Sequence, residues 1–220
     1  MKKEVILTKD GSTSIFLPEL NETYHSKFGA IQEAKHVFIK NGLSLVCDKS
    51  VSILEIGFGT GLNAFITFLE AQETNQNINY VGVEAYPVEL DVISQLNYVT
   101  ELEAKTHQTI FDTIHKCDWE IENKITSNFN LTKRKQKFQD ISDSSKYNLI
   151  YFDAFGFDVQ PELWNEEIFQ LMYETLLPNG ILVTYACRTS IKKAMIHAGF
   201  KVEKLPGAPG KREMLRAVKN

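Results

Sequence analysis

The stretch that decides the fold is Ile53-Leu54-Glu55-Ile56-Gly57-Phe58-Gly59-Thr60-Gly61-Leu62-Asn63. It starts with a short apolar run, continues with three glycines at alternate positions, and leads into an amphipathic segment. Glycines at such a turn leave room for a ligand beside the backbone. The free N–H groups at the start of the following helix attract polar or anionic groups. The stretch therefore predicts a buried strand, a ligand-binding turn and a helix.

Apolar runs and amphipathic segments alternate along the rest of the chain. The runs at 51–56, 79–84, 147–152 and 181–185 predict buried strands, and the patterns at 62–73, 165–176 and 190–198 predict helices. The alternation is typical of a doubly wound α/β fold with a mostly parallel sheet covered on both faces. The segments 200–205 and 212–218, separated by a turn rich in Pro and Gly, predict a closing antiparallel hairpin.

A smaller unit precedes this core. Residues 5–16 read as a hairpin that turns at Asp10-Gly11, and apolar side chains at helical spacing predict a helix over 30–41 that ends at Gly42. We therefore divide the chain into an N-terminal hairpin and helix at 1–46, packed on the core, and a ligand-binding domain at 47–220.

Composition excludes several classes of protein. Of 220 residues, 43% are hydrophobic and 24% are charged, which is typical of globular proteins and not of disordered chains. The three cysteines form no C-x-x-C pair, and the five histidines show no metal-ligand spacing, so we expect neither a disulfide framework nor a metal site. The sequence shows no signal peptide or membrane span, so we expect a cytoplasmic protein that does not bind membranes.

The net charge of −4 conceals an uneven distribution. From position 187 to the end, nine basic residues face two acidic ones, and a second basic cluster lies at 133–137. The segregation indicates a surface for a polyanion. Solvated helix and strand surfaces are the alternative interpretation.

The spacing of the glycine turn favours one cosubstrate. A dinucleotide fingerprint would place its third glycine at the position of Leu62, and Glu55 would repel a pyrophosphate. A carboxylate there suits a ligand that carries an ammonium group, as S-adenosylmethionine (SAM) does. Glu84, at the end of the next strand, is placed to accept both ribose hydroxyls. Asp140, after the third strand, which is expected between the runs at 79–84 and 147–152, is placed to accept the adenine amino group.

The sequence says less about which residues bind the acceptor, the molecule that would receive the methyl group. Asp153 follows the run at 147–152, the fourth expected strand, where a carboxylate can position an amine acceptor or remove its proton. The alternative is a structural cap on the loop or the next helix. Tyr24, Phe155, Phe157 and Trp164 offer stacking faces for a base, or they belong to the core.

These residues resemble the methyltransferase part of the MnmC family. The resemblance rests on the F-G-T-G-L-N string from Phe58, on Asp153-Ala154-Phe155 with Pro161 and Trp164, and on Gly210-Lys211-Arg212-Glu213-Met214. It also includes the N-terminal segment 21–30, so it covers nearly the whole chain. The resemblance implies a class I SAM-dependent methyltransferase that methylates the aminomethyl nitrogen of 5-aminomethyl-2-thiouridine at the tRNA wobble position.

The resemblance also implies roles for single residues. It assigns cosubstrate binding to the glycine turn and its neighbours, and acceptor binding to both ends of the chain: Glu55, Gly57, Phe58, Gly59, Thr60, Gly61, Asn63, Glu84, Asp140 and Asp153 for SAM, and Tyr24, Phe155, Lys211 and Arg212 for the substrate. Two positions depart from the family pattern, Phe157 in place of a proline and Gln139 in place of a glycine.

The expected partner is the anticodon arm of tRNA. Lys192, Lys193, Lys211 and Arg212 are predicted to hold its phosphates. Because the chain has no room for the FAD-dependent oxidase domain of bifunctional members, we expect a stand-alone form that uses no FAD and follows a separate upstream enzyme. Two alternatives stay open, which are methylation of a small-molecule or protein amine by the same fold and a SAM- or RNA-binding module without turnover.

Overall fold

The computed structural model describes residues 2–220, beginning with a small antiparallel sheet. Its strands are β1 (Glu4–Leu7), β2 (Thr13–Leu17) and β3 (Glu22–Thr23). The predicted hairpin is confirmed, since β1 pairs with β2 and the Asp10 side chain closes the turn by accepting the Ser12 N–H at 3.0 Å. The short third strand was not predicted from the sequence.

The main sheet has eight strands: β4 (Ser50–Ile56), β5 (Asn77–Val83), β6 (Glu122–Thr126), β7 (Phe129–Arg134), β8 (Tyr147–Phe152), β9 (Leu176–Thr184), β10 (Lys201–Pro206) and β11 (Glu213–Val218). Their order is β10-β11-β9-β8-β4-β5-β7-β6. The five central strands are parallel, and β6 and the β10–β11 hairpin pair antiparallel at the two edges. The mostly parallel α/β sheet with a C-terminal antiparallel hairpin is confirmed.

Seven α-helices connect or flank the strands: α1 (Ala30–Ala34), α2 (Leu62–Thr74), α3 (Leu90–Ile93), α4 (Tyr98–Glu101), α5 (Gln108–Lys116), α6 (Glu166–Thr175) and α7 (Thr189–His197). A π-helical segment, Lys35–Lys40, continues α1 up to Gly42 as the sequence predicted. Short 3₁₀ turns lie at Leu43–Leu45, Lys105–His107, Phe138–Asp140 and Pro161–Trp164.

The two faces of the main sheet bury separate apolar clusters, because side chains alternate along each strand. On β4, Val51 and Ile53 pack on the side of α1, α2 and α5, whereas Leu54 and Ile56 pack on the side of α6 and α7. By the same alternation Glu55 lies on the α2 side of the sheet.

The N-terminal segment is joined to the start of α4 and to the C-terminal hairpin. The amide of Asn97, at the start of α4, accepts the backbone N–H of Thr13 at 2.8 Å and donates to the carbonyl of Gly11 at 2.8 Å. The Phe28 ring lies against Gly210 in the loop between β10 and β11. The two ends of the chain therefore meet above the carboxyl edge of the central strands. Within residues 2–220 no helix has the length and apolar character needed to cross a membrane.

Candidate active site

A cavity of about 500 Å³ opens at the carboxyl edge of β4, β5 and β8. This edge is where ligands bind in open α/β sheets, and the volume is in the range of small-molecule sites. Its walls come from the glycine turn, from the N-terminal segment, from the loops after β5 and β8, and from the C-terminal loop, and they include Tyr24, Gly57, Phe58, Gly59, Thr60, Asn63, Glu84, Asp153, Phe155 and Lys211.

The glycine turn is fixed by its neighbours. The N–H groups of Gly57 and Phe58 both donate to the carbonyl of Val83 at 3.0 Å, which ties the turn to the end of β5. Gly57 has φ +91°, and a Cβ atom there would lie 2.6 Å from the carbonyl oxygen of Asp153. The chains leaving β4 and β8 thus touch at Gly57. Gly61 has φ +68° and faces His115, away from the cavity wall.

Glu84 is held rigidly toward the cavity. One carboxylate oxygen accepts the N–H of Gly59 at 3.0 Å, and the other accepts the N–H of Tyr86 at 2.9 Å. Each oxygen keeps free lone pairs for donors in the cavity. The arrangement suits the ribose hydroxyls that the sequence predicted as its ligand.

We expect Glu84→Ala to weaken SAM binding by about tenfold or more, because hydrogen bonds to a charged group contribute roughly 1.5–3 kcal/mol. Isothermal titration calorimetry measures the effect. The matched control is Asp140→Asn, which removes a charge from an exposed residue that does not line the cavity. Equal losses in both variants would contradict the assignment of the ribose to Glu84.

The structure corrects the expectation that Glu55 meets the ammonium group directly. Glu55 is fully buried on the α2 side of the sheet, behind Asn63, and it does not line the cavity. Asn63 Nδ2 donates to Glu55 Oε1 at 2.9 Å and to Asp153 Oδ2 at 2.9 Å. Burial raises the pKa of Glu55 well above its usual range. Glu55 therefore acts on the cavity through Asn63.

Asp153 lines the cavity directly after β8. Burial, reinforced by the negative charge of Glu33, raises the pKa of Asp153 to about 7, against the stabilising hydrogen bond from Asn63 and the charge of Lys211. A carboxyl group with this pKa can exchange a proton near neutral pH. The position and the pKa both fit a group that accepts a proton from an amine.

Aromatic and polar side chains from the N-terminal segment cover the turn. The ring of Tyr24 lies about 3.1 Å from the Cβ position of Gly59 and packs edge-on against Phe155, with ring centroids 5.0 Å apart. His25 Nε2 lies 2.8 Å from Thr60 Oγ1, and burial lowers the pKa of His25 to about 4. Tyr24 and Phe155 therefore both lie on the cavity wall.

Some predicted residues lie elsewhere. Asp140 is exposed at the end of a 3₁₀ turn, and the preceding residues 137–139 line the cavity in its place. Arg212 is exposed outside the cavity. The Trp164 side chain is buried, and its indole N–H donates to the carbonyl of Phe155 at 2.8 Å, so it is a core residue that fixes the loop.

The structure adds cavity residues that the sequence analysis missed. Glu22, His25, Glu33 and Tyr185 all line the same cavity as Asp153. Glu33 had a detectable signal, since it falls on the apolar face of the predicted helix, where a charge is unusual. The other three carry no such signal in the sequence.

The fit of SAM can be judged from these residues. Glycine at positions 57 and 59 lets the backbone of Asp153 and the ring of Tyr24 close against the turn and form the cavity wall. Glu84, which accepts the N–H of Gly59, offers acceptors in the same cavity. A sequence model of the family described as S-adenosyl-L-methionine-dependent methyltransferase matches residues 97–220, which is more than half of the chain. The chain belongs to this family. SAM is therefore its cosubstrate.

Curated relatives place the methyltransferase more closely. The tRNA 5-methylaminomethyl-2-thiouridine biosynthesis bifunctional protein MnmC from Delftia acidovorans is 28% identical over 218 residues, covering 92% of this chain and 33% of the relative. The protein of the same name from Leptospira interrogans is 26% identical over 212 residues, covering 90% of this chain and 32% of the relative. The chain thus spans about a third of the length of these relatives, and the resemblance to MnmC is confirmed.

Solved structures show the same fold. The MnmC2 crystal structure from Aquifex aeolicus superposes with a TM-score of 0.81 at 22% identity, covering 98% of this chain and 69% of that chain. Spermidine synthase from Thermotoga maritima gives a TM-score of 0.53 at 12% identity, covering 95% of this chain and 69% of that chain. The predicted class I methyltransferase fold is confirmed.

Proposed function

We propose that this methyltransferase methylates the aminomethyl nitrogen of 5-aminomethyl-2-thiouridine at the wobble position of tRNA. The observation that carries the proposal is the similarity to MnmC, which extends over about nine-tenths of the chain. The proposal places the protein in the cytoplasm, after an upstream enzyme that forms the aminomethyl group.

The chemistry of the cavity supports an amine acceptor. Bound SAM supplies a methyl group on a positively charged sulfur. The carboxylates of Asp153, Glu33 and Glu22 all line the acceptor end of the cavity, so a cationic alkylamine is attracted there. Asp153 can then hold the amine in line with the methyl group and take its proton. Tyr24 and Phe155 offer faces against which an unstacked base can pack.

The topology supports an RNA partner beside the cavity. The N-terminal half of α7 and the loop between β10 and β11 both lie toward the carboxyl edge of the main sheet, where the cavity opens. Exposed Lys193 and Arg212 lie on these two segments. Lys211 points instead into the cavity and pairs with Glu33. We therefore assign phosphate binding to Lys193 and Arg212, with Lys192 beside them, and not to Lys211.

The direct test uses labelled SAM and tRNA that carries the aminomethyl group without the final methyl group. We expect the label in the wobble nucleoside, and no label in tRNA that already carries the methyl group. Label in a protein or a metabolite alone would favour the alternative N-methyltransferase. Binding of SAM and tRNA without transfer would favour a module without turnover.

We expect the double charge reversal Lys193→Glu/Arg212→Glu to weaken tRNA binding. It should also make the plot of the logarithm of the association constant against the logarithm of the salt concentration less steep by about two, because roughly one counterion is released for each phosphate contact. Filter binding at several salt concentrations measures both effects. Lys49→Glu/Lys124→Glu is the matched control, because Lys49 precedes β4 at the opposite edge and Lys124 lies on the distant edge strand β6. If both doubles bind tRNA equally well, the proposed surface is wrong.

A further inference from the structure

We propose that Glu33, Lys211 and Tyr185 form a subsite for the acceptor amine beside Asp153, in which the positive charge of Lys211 opposes the surrounding carboxylates and shifts the bound alkylamine toward its neutral, nucleophilic form. The inference rests on the proposed function for the identity of the acceptor as an amine. It assigns Lys211 and Glu33 to the chemistry of the cavity, and not to RNA binding or to stability.

Glu33 is the first part of the subsite. It lies on the buried face of α1 with 7% of its surface exposed. Glu33 Oε2 accepts the N–H of Ser26 at 3.0 Å, and Oε1 pairs with Lys211 Nζ. Burying a carboxylate costs free energy unless it is paired, and an ion pair inside a protein is seldom the most stable solution for its site. Both members of this pair line the ligand cavity, which indicates a role there.

Tyr185 fixes the position of the lysine. Lys211 Nζ lies 3.8 Å from the centre of the Tyr185 ring, a cation–π contact. The Tyr185 hydroxyl donates to the carbonyl of Ala154 at 2.8 Å, the residue next to Asp153. The ammonium group is therefore held by an aromatic face and a carboxylate, and the same tyrosine is tied to the loop that carries Asp153.

The charged and polar groups around Asp153 come from several parts of the fold. Asn63 on α2 donates to Asp153 and also to Glu55 of β4. The charges of Glu33 on α1 and of Lys211 in the C-terminal loop act on Asp153, and Tyr185 and Glu22 line the same cavity. Glu33 raises the pKa of Asp153, and Lys211 lowers it. The two members of one ion pair thus act on the proton-accepting group with opposite signs.

The same field acts on the acceptor. A free alkylamine with a pKa near 10 is almost entirely protonated at neutral pH, and a protonated amine has no lone pair for attack. A neighbouring cation disfavours the protonated form. The lone pair of the neutral amine forms the new N–C bond as the S–C bond of the donor breaks, and the proton left on the product nitrogen goes to Asp153 and then to solvent.

The test compares pH profiles of single-turnover methyl transfer to tRNA. We expect the acid limb of the pH–rate profile to move up by about one pH unit in Lys211→Met. In Glu33→Gln we expect it to move down by a similar amount. Shifts of this size are expected for charges several ångströms apart in a partly buried site. Lys211→Arg should keep the wild-type limb, and the Lys211→Met/Glu33→Gln double variant should return close to it. A purely structural ion pair predicts slower transfer in both single variants with an unmoved limb, which would overturn the proposal.

A second readout separates this inference from the proposed function. The carboxyl carbon of Asp153, labelled with ¹³C, is titrated by NMR in the full-length protein with the same variants. Opposite movements of its pKa support the subsite even if wild-type protein transfers no methyl group to tRNA, a result that would reject the tRNA assignment alone. If the pKa of Asp153 moves in the same direction in both single variants, or does not move, the subsite is rejected, regardless of which molecule the methyl acceptor is. Equal SAM affinity in all variants confirms that the donor end is intact.

Discussion

Substitution of Asp153 by Asn is expected to slow methyl transfer by about 10²–10⁴-fold, the usual contribution of a positioned proton acceptor. Asn has nearly the same shape and can still accept the hydrogen bond from Asn63, which is 2.9 Å long in the structure. The loss therefore reports the missing proton acceptor. Single-turnover transfer at saturating SAM and tRNA measures it.

The same variant is expected to stabilise the fold at alkaline pH. The pKa of Asp153 is raised to about 7 in the folded protein, mainly by burial, whereas an unfolded Asp titrates near 3.9. An acid whose pKa is higher in the folded protein than in the unfolded chain lowers the free energy of unfolding when it is ionised. This destabilisation appears as the pH rises through the pKa of the unfolded chain and is complete above the pKa of the folded protein. We expect Asp153→Asn to gain roughly 2–4 kcal/mol at pH 8 and almost nothing at pH 3.5.

Urea unfolding at the two pH values measures this gain. Asp158→Asn is the matched control, because Asp158 is an exposed carboxylate in the same loop after β8. Its substitution should change neither the rate nor the stability beyond about 0.5 kcal/mol. An Asp153→Asn protein that transfers methyl groups at the wild-type rate would remove Asp153 from the reaction and leave it a structural residue.

The sequence predicted those parts of the fold whose signals are local. The strand β8 follows from an apolar run bounded by turn residues, and α2 follows from helical spacing after the glycine turn. The edge strand β6 is polar and half exposed, so its sequence lacks the apolar pattern of a buried strand. Its pairing with β7 depends on a tertiary contact that no single segment encodes.

The residues of the candidate site also divide into those with a local signal in the sequence and those without one. The turn from Gly57 and the carboxylate of Glu84 were predictable, because each lies at the end of its own buried strand. The direction of Glu55 was not, since strand alternation sends its side chain to the α2 side and a one-residue change of register would reverse it. Glu33 and Lys211 come from distant parts of the chain, and tertiary contacts such as Phe28 against Gly210 and His36 Nε2 with the carbonyl of Pro206 bring those parts together.

Substitution of Gly57 by Ala is expected to have the largest effect on both folding and SAM binding. The φ of +91° is a conformation that alanine rarely adopts, and such strain costs about 1–3 kcal/mol. The added Cβ would also lie 2.6 Å from the carbonyl oxygen of Asp153. Because that atom belongs to backbone, relief requires the chains after β4 and β8 to separate. We expect a loss of about 2–4 kcal/mol in unfolding free energy.

The separation would also displace the acceptor carboxylate of Asp153 from the donor end of the cavity. SAM affinity should then fall by well over tenfold, and methyl transfer should fall further, since small misplacements of reacting groups cost about 10²-fold in rate. Gly156→Ala is the matched control, because Gly156 lines the same cavity, its φ is not positive, and its Cβ would come no closer than 3.7 Å to any atom. Chemical denaturation and calorimetry on both variants give the comparison. If Gly57→Ala binds SAM as tightly as Gly156→Ala does, the close contact between the glycine turn and the Asp153 loop does not shape the site.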